Sequence, residues 1–148
     1  VFIQMEEKMR QLIEGLNTDL AGEYSAVIQY TYYASTVTGL EYQILKPFFE
    51  GEIPDEQGHA LYLSEKIKNL GGEPTTKPAE VKHVSNVTEM LKEASKAEKE
   101  TIQRYEERKK QAEELGLTEL VVKLEDMIAD ETNHMEEMER LLKDPRLS

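Results

Sequence analysis

Two copies of one short word, Asp-Glu-x-x-His, occur in this chain, as Asp55-Glu56-Gln57-Gly58-His59 and Asp130-Glu131-Thr132-Asn133-His134. Each stands 33 positions after a further glutamate, Glu23 in the first case and Glu98 in the second. On a helix, residues i and i+3 share a face, so the Glu and His of each word point the same way. Two such pairs and two lone glutamates bring together four carboxylates and two imidazoles, enough to hold two metal ions. Four ionised glutamates balance two divalent cations, and that neutrality lets such a site be buried. Oxygen-rich donors with one nitrogen per ion suit iron or manganese, whereas zinc more usually takes further His or Cys. Glu56 and Glu131 are best placed to bridge; Glu23 with His59, and Glu98 with His134, would complete each ion's set. Asp55 and Asp130 are placed to accept a hydrogen bond from a histidine's second nitrogen and fix its tautomer. Tyr30, two turns beyond Glu23 on the same face, can bond a carboxylate, donate an electron, or simply fill core. Tyr105 reads as core packing, and His83 as a surface residue with no partner at ligand spacing.

These residues need long helices to hold them, and the apolar periodicity supplies four. Ile13, Leu16, Leu20, Glu23, Val27, Tyr30, Ala34 and Val37 mark a first stripe that ends at Gly39. Leu45, Phe49, Glu52, Glu56, His59, Leu63, Ile67 and Leu70 mark a second, closed by Gly71-Gly72. The third opens at Asn86, which with Glu89 spells a capping box, and runs through Leu91, Ala94, Glu98, Thr101, Tyr105 and Ala112, with Arg108 as an exception. The fourth follows Gly116, with Thr118 as its expected cap, and runs through Leu120, Leu124, Met127, Glu131, His134, Met138 and Leu141 to Pro145. The four glutamates occupy stripe positions where leucine or isoleucine is expected, and an unpaired carboxylate there costs several kcal/mol. Cations would compensate them.

Short links at Thr38-Gly39-Leu40 and Gly116-Leu117 predict antiparallel neighbours, while the stretch from Gly71 to Ser85 is long enough to return along the bundle. The expected architecture is all-α: one four-helix-bundle domain over residues 1–148, with one long crossover between the second and third helices. The halves echo each other, Glu23 leading to Tyr30 as Glu98 leads to Tyr105, so two half-sites should face one another. Pro54 and Gly51 predict a kink or widened turn before Glu56.

Composition narrows the function classes. The 148 residues include no cysteine, which excludes disulfides, thiolate metal sites and iron–sulfur clusters. A net charge of −12 argues against a nucleic-acid partner, which needs a basic face. No stretch approaches the roughly 20 apolar residues of a membrane span and no signal peptide is visible, so the expected location is cytoplasmic, without a membrane partner.

At this point the chain resembles the bacterioferritin-type ferritins. The likeness runs from about Met5 to Lys143 and is carried by Glu23-x5-Gln29-Tyr30, Asp55-Glu56-x-x-His59-Ala60, Leu70-Gly71-Gly72-x-Pro74 and Asp130-Glu131-x-x-His134. The resemblance implies a ferritin-like four-helix bundle that oxidises Fe(II) with O2 or H2O2 at an intrasubunit site. It implies two iron ions per subunit on Glu23, Glu56, His59, Glu98, Glu131 and His134, manganese being an alternative metal. It further implies iron storage or detoxification by a homo-oligomer, and Glu52 with Asp55 resembles the acidic lining of an iron route. Two departures matter. Gln57 stands where bacterioferritins carry the haem-ligating methionine, so no haem is expected. Only 14 residues follow His134, which sets a dimer or a smaller cage of the Dps-like subgroup beside a full 24-subunit shell. A rubrerythrin-like peroxidase is the alternative, although Thr101 replaces that family's extra helix-three glutamate. Other di-metal oxidases acting without storage share the scaffold. A Dps-type DNA-protecting shell is disfavoured by the acidic balance and by a ligand set complete within one chain.

Overall fold

Period-3.6 stripes with few internal glycines give helices, and a computed structural model, which describes residues 1–147, contains four: α1 (Phe2–Thr36), α2 (Tyr42–Asn69), α3 (Val87–Glu114) and α4 (Thr118–Leu142). A short 3-10 turn, Pro145–Leu147, follows. The fold is all-α. The first helix starts well ahead of its apolar stripe, and Val1, Phe2 and Ile3 stand exposed at its tip.

Helix ends follow local chemistry. Gly71 (φ +95°) and Gly116 (φ +68°) adopt the left-handed conformation that closes α2 and α3. The next amide then reaches back five residues, Gly72 N to Ile67 O at 2.9 Å and Leu117 N to Ala112 O at 3.0 Å. Asn86 caps α3, its side chain accepting from Glu89 N at 3.2 Å. Thr118 does not cap α4: the closure of α3 is so tight that Leu117 holds the cap position and Thr118 is already helical. Of the kink or widened turn expected before Glu56, the widened turn is not formed. The α-helix continues through both Pro47 and Pro54, and Pro54 lies on the exposed face with Glu50, where water can satisfy the carbonyl that loses its donor.

Two apolar clusters fill the bundle. One joins Leu12, Leu16 and Leu20 of α1 to Leu63 and Ile67 of α2, Tyr105 and Ala112 of α3, and Leu120 and Leu124 of α4. The other joins Tyr30, Tyr33 and Val37 to Leu45 and Phe49, Met90 and Leu91, and Met138. Going from the first cluster to the second, α1 and α4 run forward while α2 and α3 run backward. The helices flanking the crossover are therefore parallel, as its length requires, and each short link joins antiparallel neighbours. Among the described residues no helix is long and apolar enough to cross a membrane.

Polar side chains of α1 fasten the crossover along that helix. Asn17 donates to Glu73 O at 3.1 Å and accepts from Thr75 N at 2.8 Å. Ser25 donates to Ala79 O at 2.6 Å, and Ala79 N donates to Ala21 O at 3.1 Å. His83, exposed in the crossover, stacks on Tyr32 at 4.9 Å.

Candidate metal centre

Between the two apolar clusters lies a polar layer built from one face of each helix. The first helix supplies Glu23, α2 supplies Glu56 and His59, α3 supplies Glu98, and α4 supplies Glu131 and His134. None of the six is more than 7% exposed. The structure brings all of them together in two overlapping donor groups, Glu23, Glu56, His59 and Glu131 in one, and Glu56, Glu98, Glu131 and His134 in the other. The donor atoms of each group lie within 4.8 Å of one another, and Glu56 and Glu131 belong to both. His59 Nδ1 is 3.0 Å from Glu131, 3.6 Å from Glu23 and 3.9 Å from Glu56. His134 Nδ1 is 3.3 Å from Glu56, 3.9 Å from Glu98 and 4.0 Å from Glu131.

The outer nitrogens are held by aspartates in a crossed pattern. Asp130 Oδ2 lies 2.9 Å from His59 Nε2, and Asp55 Oδ2 lies 3.1 Å from His134 Nε2. A half-exposed carboxylate accepts, so Nε2 carries the proton and Nδ1 faces inward. The tyrosines cross in the same way. Tyr30 donates to Glu98 at 2.6 Å, and Tyr105 donates to Glu23. Tyr105 is thus more than core filler; its place in the repeat, equivalent to Tyr30, was the available signal.

The electrostatics are those of too many carboxylates in too little solvent. Burial, then the neighbouring Glu23, pushes the Glu56 carboxyl well above the usual range, and burial foremost raises that of Glu98. For Glu23 burial is opposed and outweighed by the nearby Glu56 and His59 and by the Tyr105 hydroxyl, and the net direction is down. Burial disfavours charge on both imidazoles, yet carboxylates overcome it and raise them, chiefly Glu23 for His59 and Glu52 for His134. Protons therefore stand in for missing positive charge.

The atoms left unsatisfied identify what fits. Buried side-chain atoms without a hydrogen-bond partner are Glu23 Oε2, Glu52 Oε2, Glu56 Oε1, His59 Nδ1, Glu98 Oε2, Glu131 Oε1 and His134 Nδ1. All belong to this layer, and native structures rarely leave buried polar atoms unpaired. Donor atoms about 2.1 Å from one cation lie roughly 3 Å apart at right angles, comparable with the shorter separations here. The residues present fit a pair of hard, oxygen-preferring cations.

Two neighbouring features complete the surroundings. One turn before Glu23, the buried Asp19 accepts from Arg108 at 2.8 Å and from Arg104 at 3.2 Å. Gly15 and Gly22 give the guanidinium groups room, since a Cβ at either would collide with Arg108 or Arg104. A cavity of about 210 Å³ opens between α1, α3 and the crossover; Gly22, Ser25, Ala79 and Arg104 line it, and Glu98 and Glu131 reach it.

A bundle with one crossover and a carboxylate–histidine layer at mid-height defines a class of di-metal carboxylate proteins, and comparison with known proteins agrees. Residues 13–148 match the ferritin-like domain family, and the chain belongs to that family. A bacterioferritin of Desulfovibrio desulfuricans is 30% identical over 131 residues, 88% of this chain and 73% of that protein. A nutrient stress-induced DNA-binding protein of Synechococcus is 37% identical over 68 residues, 46% of this chain but only 39% of that protein. The crystal structure of a ferritin-like, diiron-carboxylate protein from Bacillus anthracis is 67% identical and superposes with a TM-score of 0.91, covering 92% of this chain and 98% of that one.

Proposed function

We propose that this chain binds two Fe(II) ions as substrate within one subunit and oxidises them. Glu23 and His59 would hold one ion, Glu98 and His134 the other, with Glu56 and Glu131 shared. The observation that carries this reading is the set of unsatisfied donor atoms converging in two groups with two carboxylates in common. Two Fe(II) ions give up two electrons, which reduce O2 to peroxide or, with two protons, H2O2 to water. Carboxylates favour the trivalent product, whose higher charge they neutralise better. Asp55 and Asp130 fix the imidazoles with Nδ1 inward, and Tyr30 and Tyr105 hold Glu98 and Glu23 in place, with Tyr30 also placed to supply an electron. The product would enter iron storage or detoxification in a homo-oligomer. With 30 acidic residues against 18 basic ones, nucleic acid is not the partner proposed.

Stopped-flow absorbance after Fe(II) addition tests the reading. The native protein should show a fast phase proportional to its sites. Glu56→Ala and Glu131→Ala, each removing a carboxylate common to both ions, should abolish that phase and lose more metal than the roughly 10–100-fold typical of a lost outer partner. Equal rates in native and variant proteins would overturn it. Light scattering with iron loading separates storage from turnover: a shell retaining iron supports storage, and a dimer holding only the paired ions supports a peroxidase or oxidase.

A further inference from the structure

The two-fold pairing fails beside the donors where Glu52 stands. One turn before Glu56 stands Glu52, whereas one turn before Glu131 stands Met127. Glu52 is buried, and its Oε2 lies 2.7 Å from His134 Nδ1, nearer than any oxygen of Glu56, Glu98 or Glu131. The approach lacks hydrogen-bond geometry, and both atoms remain without a partner. Met127 packs into the apolar cluster, so a thioether suffices at this register. A carboxylate with a free buried oxygen is costly there unless a cation meets it. With Asp55 and His134, Glu52 forms a third donor group; among the described residues no corresponding group forms around Asp130 and His59, where Met127 replaces it.

Resting on the paired-metal reading above, we propose that Glu52 is a further ligand of the ion held by Glu98 and His134, with no counterpart for the ion held by Glu23 and His59. The two positions are then unequal. The His134 position has one more anionic oxygen, fills first and binds more tightly. Five buried carboxylates also exceed the charge of two divalent ions, and the excess lies on the His134 side.

Cobalt(II), which needs no oxidant, is the probe, followed by calorimetry and by its visible absorption in metal-stripped protein. The native protein should bind two Co(II) in steps separated by about tenfold or more, on the scale of coordination-sphere changes. His134→Ala should remove the tight step and His59→Ala the weak one. Glu52→Met, which copies the other half, should weaken the tight step by about tenfold and merge the two, with a matching change in the Co(II) spectrum. Met127→Glu should strengthen the weak step. Should Glu52→Met fail to fold by circular dichroism, Glu52→Gln keeps the shape and should weaken the same step. Two equal steps in the native protein, or binding constants untouched by loss of the Glu52 charge, would overturn the proposal while leaving the paired site intact. Absence of Co(II) binding altogether would overturn the paired site and, with it, this proposal.

Discussion

The hairpin of α1 and α2 and the hairpin of α3 and α4 are related by a shift of 75 positions, and they agree and differ in separate places. Glu23 and Glu98, Tyr30 and Tyr105, Asp55 and Asp130, Glu56 and Glu131, His59 and His134 all correspond. One turn away the correspondence ends. Asp19 faces Arg108 on one side, while the matching residues Ala94 and Tyr33 lie in an apolar cluster on the other. Glu52 answers to Met127. Symmetry is kept where buried carboxylates and imidazoles converge and is relaxed where the surroundings need only be filled or paired. The lesson is that the repeat is chemical before it is structural.

The largest effect that could break this comparison concerns the two cores. Leu16 and Leu91 correspond, each fully buried in a different cluster. Truncation to alanine should cost about 2–5 kcal/mol at either site. Leu91→Ala should fall at the lower end, because two adaptable buried methionines, Met90 and Met138, belong to its cluster against one, Met127, in the other. Guanidinium unfolding of the two variants measures this; the reverse order would show that the cores differ in some other respect. A smaller effect sharpens the crossed pattern. Asp55→Asn should weaken the His134 position and Asp130→Asn the His59 position, each by about 10–100-fold. Co(II) titration of each variant reads which step moves, and a same-hairpin response would break the crossing.

The smallest effect lies outside the repeat. Glu119 forms an ion pair with Lys66 at 2.6 Å and accepts from Tyr62 at 2.9 Å, joining α4 to α2, and the corresponding residues, Ile44, Leu141 and Glu137, cannot copy it. The Lys66 hydrogen bond, foremost, holds the Glu119 carboxyl below its ordinary 4.5. A lowered acid contributes stability above its unfolded value and loses it as pH falls through its folded value. At 57% side-chain exposure, screening limits the contribution to about 1 kcal/mol or less. Glu119→Gln should therefore lower stability slightly at neutral pH, and the deficit should shrink as pH falls through the lowered value, as unfolding midpoints across that range would show.

The stripes made the helices, links and crossover legible, because apolar spacing and glycine closures are local signals. The six residues that converge in the buried layer were legible for a related reason: a charged residue in a stripe contradicts its neighbours. What escaped depends on distance in the chain. Arg108 interrupts its stripe visibly, but its partner Asp19 lies 89 positions away, and nothing local couples them. Glu52 also sits in a stripe, yet only the assembled bundle shows that it meets His134 rather than solvent. Tyr105 reads as core packing, and its correspondence to Tyr30, whose bond it mirrors, was the signal passed over. Thr118 misled because the glycine closure before it put Leu117 in the cap position and Thr118 already inside the helix.

The fastening of the crossover to α1 bears on the order of folding. Each hairpin closes through a link of a few residues, whereas docking one on the other must also close the strap from Leu70 to Asn86. Loop-closure entropy grows slowly, by about 0.6 kcal/mol per doubling of length, so length is a small obstacle. The larger one is backbone that would lie against a helix unpaired, and Asn17, Ala21 and Ser25 supply its partners. The remaining barrier is the approach of the two hairpin faces, which carry Glu23 and Glu56 on one and Glu98 and Glu131 on the other. Like charges must meet there as water leaves. A divalent cation present during that encounter would lower the barrier as well as deepen the well, so the same ions that the finished bundle would hold would also quicken its assembly.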